Sequence, residues 1–190
     1  LNSKKANFIK AKKDFDRAKS LIASKSISPQ QFDDYTYQYE SSKAALDEAE
    51  GKVLDVGAGT GVHAIELLDR GCEVSTIDIS EGAVEYMKSI GLNARKMDFF
   101  DVKDEKYDTI LMMMNGIGIA KKKSNLLSFL KNAGEKLTKG GQIICDSSDV
   151  KYLYEDEDGS YWMDLNAEYY GNFKFQMHYK KISGPTFFSS

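Results

Sequence analysis

Two regimes of hydrophobic spacing divide the chain. Up to about residue 50, apolar or small residues recur every three or four places: Phe8, Ala11, Phe15, Ala18 and Ile22 in one stretch, then Phe32, Tyr35, Tyr39, Ser42, Leu46 and Ala49 in a second. This spacing lays one narrow seam along each of two helices. Between them, Ser28-Pro29-Gln30-Gln31 supplies an N-cap, a proline at the first helical position and a capping-box glutamine, so the second helix has a defined start. The pattern predicts an antiparallel helical hairpin over residues 1–50, with Gly51 closing its second helix.

From Gly51 onward the pattern changes. Short apolar, β-favouring runs at 53–56, 72–79, 94–97, 107–114 and 142–146 alternate with amphipathic stretches at 64–68, 80–88 and 124–137. That alternation predicts an α/β domain whose five strands form a parallel, doubly wound sheet with right-handed crossovers. Lys139-Gly140-Gly141 reads as the turn before the fifth strand. Later, Phe173, Phe175, Met177 and Tyr179 alternate with Lys174, Gln176, His178 and Lys180, the pattern of a half-buried strand. The residues leave open whether this strand completes the sheet as part of a hairpin or belongs to an inserted lid. The expected organisation is a hairpin at 1–50 joined, without a Gly/Ser/Pro linker, to an α/β domain at 51–190. Because the chain opens on Leu1 and stops at Ser190 soon after a strand-like segment, truncation at both ends and a C-terminally incomplete sheet are expected.

Composition removes several classes of function. A chain of 190 residues with 42% hydrophobic content can bury a sizeable core. A net charge of −3 offers no general electrostatic grip on nucleic acid or anionic lipid. The longest strictly apolar run, Ile110 to Met114, is far too short to cross a bilayer, and no membrane span is expected. Cys72 and Cys145 lack metal-ligand spacing and read as reduced, core-packed thiols in a cytoplasmic protein. The acidic run Glu155–Asp158 fails as a calcium loop, since Tyr154 and Leu165 would occupy its first and twelfth positions. A solvated loop and no metal site are expected.

Candidate chemistry gathers in Val53-Leu54-Asp55-Val56-Gly57-Ala58-Gly59-Thr60-Gly61, followed by the helix from Ala64. A strand running into a glycine-rich turn and then a helix presents bare backbone to a small polar ligand. The glycines miss the G-x-G-x-x-G spacing of nicotinamide and flavin sites by one place, and Asp55 stands inside the strand. Asp78, at the end of the second strand, suits the ribose hydroxyls of an adenosine-containing cofactor.

Asp55-x-Gly57-x-Gly59-x-Gly61 resembles the first motif of the class I methyltransferases that use S-adenosylmethionine (SAM), and the resemblance runs from about Gly51 to about Asp149. It implies a Rossmann-like fold and methyl transfer by in-line displacement, with S-adenosylhomocysteine as product. It also implies that Gly57, Ala58, Gly59 and Gly61 lie against the cofactor's amino-acid part, with Asp55 orienting its ammonium. Asp78 and Ile79 would then meet the ribose, and Asp98 and Phe99 the adenine. At the carboxyl edge Asn115 would contact cofactor and orient acceptor, with Asp146 or Asp149 as base. His63 either borders the methionine end or is structural. Asn115-Gly116-Ile117-Gly118 departs from the Asp/Asn-Pro-Pro-aromatic motif of amino-methylating relatives, which disfavours DNA-adenine chemistry. A small-molecule acceptor is favoured, while a protein side chain or RNA also fits.

Residues 1–50 resemble the coiled-coil hairpin of periplasmic adaptor (membrane fusion) proteins at Arg17, Leu21, Ile27-Ser28 and Asp33. This implies a docking tip at Arg17, Leu21 and Ser28; a helical cap on the domain, or helical self-association through 1–50, fits the same seams. Two readings compete with a methyltransferase: a noncatalytic nucleoside-cofactor binder, and a fragment whose adaptor-like hairpin is the functional part.

Overall fold

A computed structural model describes residues 17–19, 21–22, 28–147, 150–156, 158–162, 164, 166, 169–179 and 182–189. Most of the first predicted helix lies outside these residues, although 17–19 and 21–22 are helical and Ala18 is buried. Helix α1 covers Pro29–Glu48. Its start follows the predicted capping box: Ser28 Oγ accepts from the Gln31 N–H at 3.1 Å, and Gln31 Oε1 accepts from the Ser28 N–H at 3.0 Å.

The remaining elements are β1 (Lys52–Val56), α2 (Val62–Asp69), β2 (Glu73–Asp78), α3 (Glu81–Ser89), β3 (Ala94–Lys96), β4 (Tyr107–Met112), α4 (Leu126–Gly134), β5 (Leu137–Cys145), β6 (Phe173–Tyr179) and β7 (Ile182–Ser189). Strands β1 to β5 form one sheet in the order β3-β2-β1-β4-β5. Every pairing within it is parallel, as expected for the doubly wound, Rossmann-like architecture. The chain reverses direction across the sheet between β1 and β4, which opens a crevice at the carboxyl edge.

Side-chain alternation along β1 sorts the core onto two faces. Val53 joins Ala45 and Leu46 of α1, Ala49 just past its end, Leu67 of α2 and Met87 of α3 on one face. Leu54 and Val56 join Ile110, Phe129 and Ala133 on the other. Asp55, by the same alternation, points to the first face, beneath the start of α2. The helix α1 seam is buried only at its carboxyl end, since Tyr35 is 44% exposed whereas Leu46 is 2% exposed.

Three boundaries differ from the sequence reading. Helix α4 stops at Gly134 rather than residue 137, and β5 already begins at Leu137. The Gly140-Gly141 pair is a bulge inside β5: Tyr107 faces Leu137, but Thr109 faces Gln142. A Cβ on Gly141 would stand 3.0 Å from the carbonyl oxygens of Tyr107 and Asp108, so the close strand approach excludes a side chain there. Cys145 is exposed on β5, correcting its assignment to the core; a strand paired on one side only cannot enclose its last residue. Cys72 packs partly buried against the first face, and both thiols are free.

Strands β6 and β7 make a separate antiparallel two-stranded sheet, with β7 packed against the turn 116–120 that follows β4. They do not extend the main sheet. Lys174, Gln176 and His178 are exposed as alternation predicted, while the side chains of Phe173, Phe175, Met177 and Tyr179 lie outside the described residues.

Truncating Leu46 tests whether α1 is integral to the domain. Leu46→Ala should cost about 2–5 kcal/mol in urea unfolding, as other buried leucine truncations do. Tyr35→Ala on the exposed part of the same helix should stay within about 0.5 kcal/mol of the parent.

Candidate functional site

The loop after β1 is held by β2. Ile77 O accepts from the N–H groups of Gly57 and Ala58 at 2.9 and 3.2 Å, and Ala58 O accepts from Gly61 N–H at 2.8 Å. Gly57, Gly59 and Gly61 have φ of 67°, 57° and 72°, left-handed values that side chains adopt with strain. Their surroundings differ. A Cβ on Gly57 or Gly59 would meet nothing within 4 Å, whereas one on Gly61 would stand 2.3 Å from Leu92 Cδ1. Gly61 therefore lets the loop settle on the core, and Gly57 and Gly59 leave backbone facing open space.

Asp78, at the end of β2, fastens the other side of the loop. Its Oδ2 accepts from Gly59 N–H at 2.9 Å and its Oδ1 from Ser80 N–H at 2.8 Å. Each carboxylate oxygen keeps further lone-pair capacity for a hydroxyl donor. Behind the loop, Asp55 is 1% exposed and its Oδ2 has no hydrogen-bond partner. Burial, reinforced by the negative charge of Asp78, pushes its carboxyl up to about 7, and the Ala64 backbone N–H opposes the shift. The buried carboxyl thus keeps one oxygen without a partner behind the loop.

A cavity of about 470 Å³ continues from the cradle along the carboxyl edge. Gly57, Asp78, Ile79, Asp98, Phe99 and Asn115 line it, all named from the sequence. Asp98 Oδ1 accepts from Phe100 N–H at 3.0 Å and caps the short turn Phe99–Asp101. Phe99 is 3% exposed, with its ring against Phe129 and Phe100. Sequence reasoning did not single out Met97, Phe100, Met114, Gly118, Ile119 and Lys121, which also line the cavity. Phe100 stands beside an assigned residue, but only the turn's geometry shows which of two adjacent rings enters the core. Met114 and Asn115 adopt consecutive left-handed conformations, φ 64° and 62°. Asn tolerates this more readily than Met, and such backbone stress accumulates at functional sites.

Ala58 is 9% exposed within the loop. Asp146, just past β5, holds the loop after β4: its Oδ1 accepts from Gly116 N–H at 3.2 Å. His63, in the first turn of α2, is half-buried; burial lowers its pKa, and the charge of Asp146 acts in the opposite direction. Asp149 lies outside the described residues. Among the described residues, no three His, Cys, Asp or Glu side chains converge as metal ligands, and no helix is long and apolar enough to cross a membrane.

A parallel α/β sheet with an acid-glycine loop after β1 and an acid closing β2 is the frame of a class I methyltransferase. Residues 31–182 match the model of the methyltransferase domain family, and the chain belongs to that family. The match includes most of α1 and β6. An uncharacterized methyltransferase of Staphylococcus carnosus is 31% identical over 133 residues, covering 67% of this chain and 58% of that protein. The cypemycin N-terminal methyltransferase of a Streptomyces species is 28% identical over 102 residues, 51% of this chain and 42% of its own. Among solved structures, a SAM-dependent methyltransferase from Bacteroides fragilis, in complex with S-adenosyl-L-homocysteine, is 45% identical with a TM-score of 0.70. That similarity covers 78% of this chain and 61% of the other. The chain thus spans roughly half the length of these curated relatives.

The buried carboxyl gives the free protein a defined pH response. Below its ordinary value of 3.8, Asp55 is protonated whether folded or not; between there and about 7 the unfolded chain releases the proton and the folded one retains it. Stability should therefore fall as pH rises through that window, by an amount of the order of 4 kcal/mol. Thermal melts of Asp55→Asn should match the parent near pH 4 and exceed it at pH 8.

Proposed function

We propose that this domain transfers a methyl group from SAM to a small-molecule acceptor. The observation that carries the reading is the pairing of an open backbone cradle at Gly57 and Gly59 with the buried Asp55 carboxyl, whose Oδ2 has no hydrogen-bond partner. The Bacteroides fragilis structure, with its bound S-adenosyl-L-homocysteine, supports the choice of cofactor.

When bound, SAM supplies a methyl group already activated on a sulfonium centre, so the protein's task is alignment and charge control. Gly57, Ala58 and Gly59 present backbone to the amino-acid part while Gly61 seats the loop on the core, and Asp55, on losing its proton, balances the ammonium. Asp78 takes the ribose hydroxyls through its remaining lone pairs while it keeps the loop closed, and Ile79 covers that end with an apolar side chain. Asp98 receives the adenine amino group. Phe99 supports the adenine wall from the core side, and Phe100 borders the same cavity. Asn115 faces the cavity from the turn after β4 and orients the acceptor. Residues 29–48 belong to this unit through Ala45 and Leu46, so α1 serves as a cap on the domain.

Calorimetry tests the assignment. SAM should bind the parent, NAD should not, and Asp78→Ala should lose at least about tenfold in affinity, the equivalent of one charge-assisted hydrogen bond. At pH 6 the ammonium draws Asp55 into its ionised form, so binding should release a proton, visible as a heat that depends on buffer. Affinity should rise with pH towards 7 and then level. Absence of SAM binding, or full affinity in Asp78→Ala, would refute the proposed site.

A further inference from the structure

One segment at the carboxyl edge touches three parts of the molecule. The turn Gly116–Ala120 after β4 is seated on the second face of the sheet through Ile117, Ile119 and the buried Ala120. Gly118 and Ile119 also line the cavity, and β7 packs against the same turn. Both ends of the turn are under backbone stress: Met114 and Asn115 before it and Lys121 after it have φ of 64°, 62° and 68°. Left-handed values at non-glycine residues persist only where surrounding bonds impose them.

Asp146, just past the end of β5, imposes them at the first end. Its Oδ1 accepts from Gly116 N–H at 3.2 Å. Its backbone oxygen accepts from Ile117 N–H at 3.3 Å, and its own N–H donates to Met112 O at 3.4 Å. One residue thus grips β4 just before the left-handed pair and the turn just after it. Gly116 completes the fit, since a Cβ there would stand 2.6 Å from Met112 Cβ. Asp146 is not itself among the residues lining the cavity.

We propose that Asp146 is a positioning residue that holds the turn 116–120 as the coupling element between cavity and outer hairpin, so that a ligand filling the cavity tightens the β6–β7 pair. That ligand is the nucleoside cofactor, so the proposal rests on the methyltransferase reading above. A ligand against Gly118 and Ile119 favours the arrangement of the turn described here, and this arrangement is the one on which β7 rests. Two sites that bias one element are coupled in free energy, and the coupling acts equally in both directions. The hairpin is the responsive partner, because it shares no ladder with the main sheet and two strands alone are marginal in water. The part played by the Asp146 side chain is that of an acceptor at Oδ1, which an amide oxygen performs as well.

Hydrogen exchange of segments 114–121 and 182–189, with and without saturating S-adenosylhomocysteine, tests the coupling. The ligand should slow both segments in the parent, 182–189 by about tenfold, a typical coupling factor. Asp146→Asn should keep that factor, whereas in Asp146→Ala it should fall towards one. A residue needed for stability alone would change exchange in 182–189 with and without ligand alike and leave the factor untouched. As a reciprocal measurement, Gln176→Pro interrupts β6 where Gln176 faces Thr186 of β7. In calorimetry that variant should bind S-adenosylhomocysteine more weakly by the factor seen in exchange. Protection of 114–121 with 182–189 exchanging at its free rate would overturn the proposal and leave the methyltransferase reading standing. So would equal loss of the factor in Asp146→Asn and Asp146→Ala, or full affinity in Gln176→Pro. If S-adenosylhomocysteine does not bind the parent, that reading falls and the coupling with it.

Discussion

A carboxyl group kept almost dry behind a left-handed glycine turn sets the terms for the rest of this domain. Taking a carboxylate out of water costs several kcal/mol unless something compensates it. Asp55 answers by holding its proton near neutrality, and the single N–H of Ala64 offsets only part of the cost. The surrounding fold has to supply the difference. It does so with two apolar faces on either side of β1, built from Val53 and Leu54 and the helices that cover them. Instability concentrated at one residue is tolerated because the strand carrying it is central in the sheet and buried from Val53 to Val56.

The same strand explains why the cradle keeps its shape. Bonds from Gly57 and Ala58 to Ile77, and from Gly59 to Asp78, join the loop to β2 on one flank. On the other, Leu54 and Asp55 pair with Ile110 and Leu111 of β4. Gly61 seats the turn against Leu92 and Met87. A loop tied at three points needs little reorganisation when a ligand arrives, which is the physical content of preorganisation.

The cradle could be read from the sequence because every feature of it is local. Glycine spacing, the acid two places earlier and Asp78 at the next strand end all fall within a short stretch of chain, and their geometry follows from strand–turn–helix stereochemistry. What escaped depends on distant pairing. Gly140-Gly141 looks like a turn until β4 is laid beside β5, whose register turns it into a bulge. Cys145 looks like core until β5 proves to be paired on one side only. Phe99 and Phe100 are equivalent in sequence, and the approach of Phe129 decides which ring is enclosed. At the front, the predicted capping box is formed by Ser28 and Gln31, while most of the first predicted helix, and with it the hairpin, lies outside the described residues.

The β6–β7 pair shares no ladder with the sheet that carries the cradle, and it meets the domain through the turn after β4. Two strands on their own are marginal in water, so its order depends on that contact. Such mechanical separation lets heredity experiment. Residues of the pair can be exchanged, lengthened or recharged without altering a hydrogen bond of the loop after β1, so this outer piece can change while the cradle stays as it was.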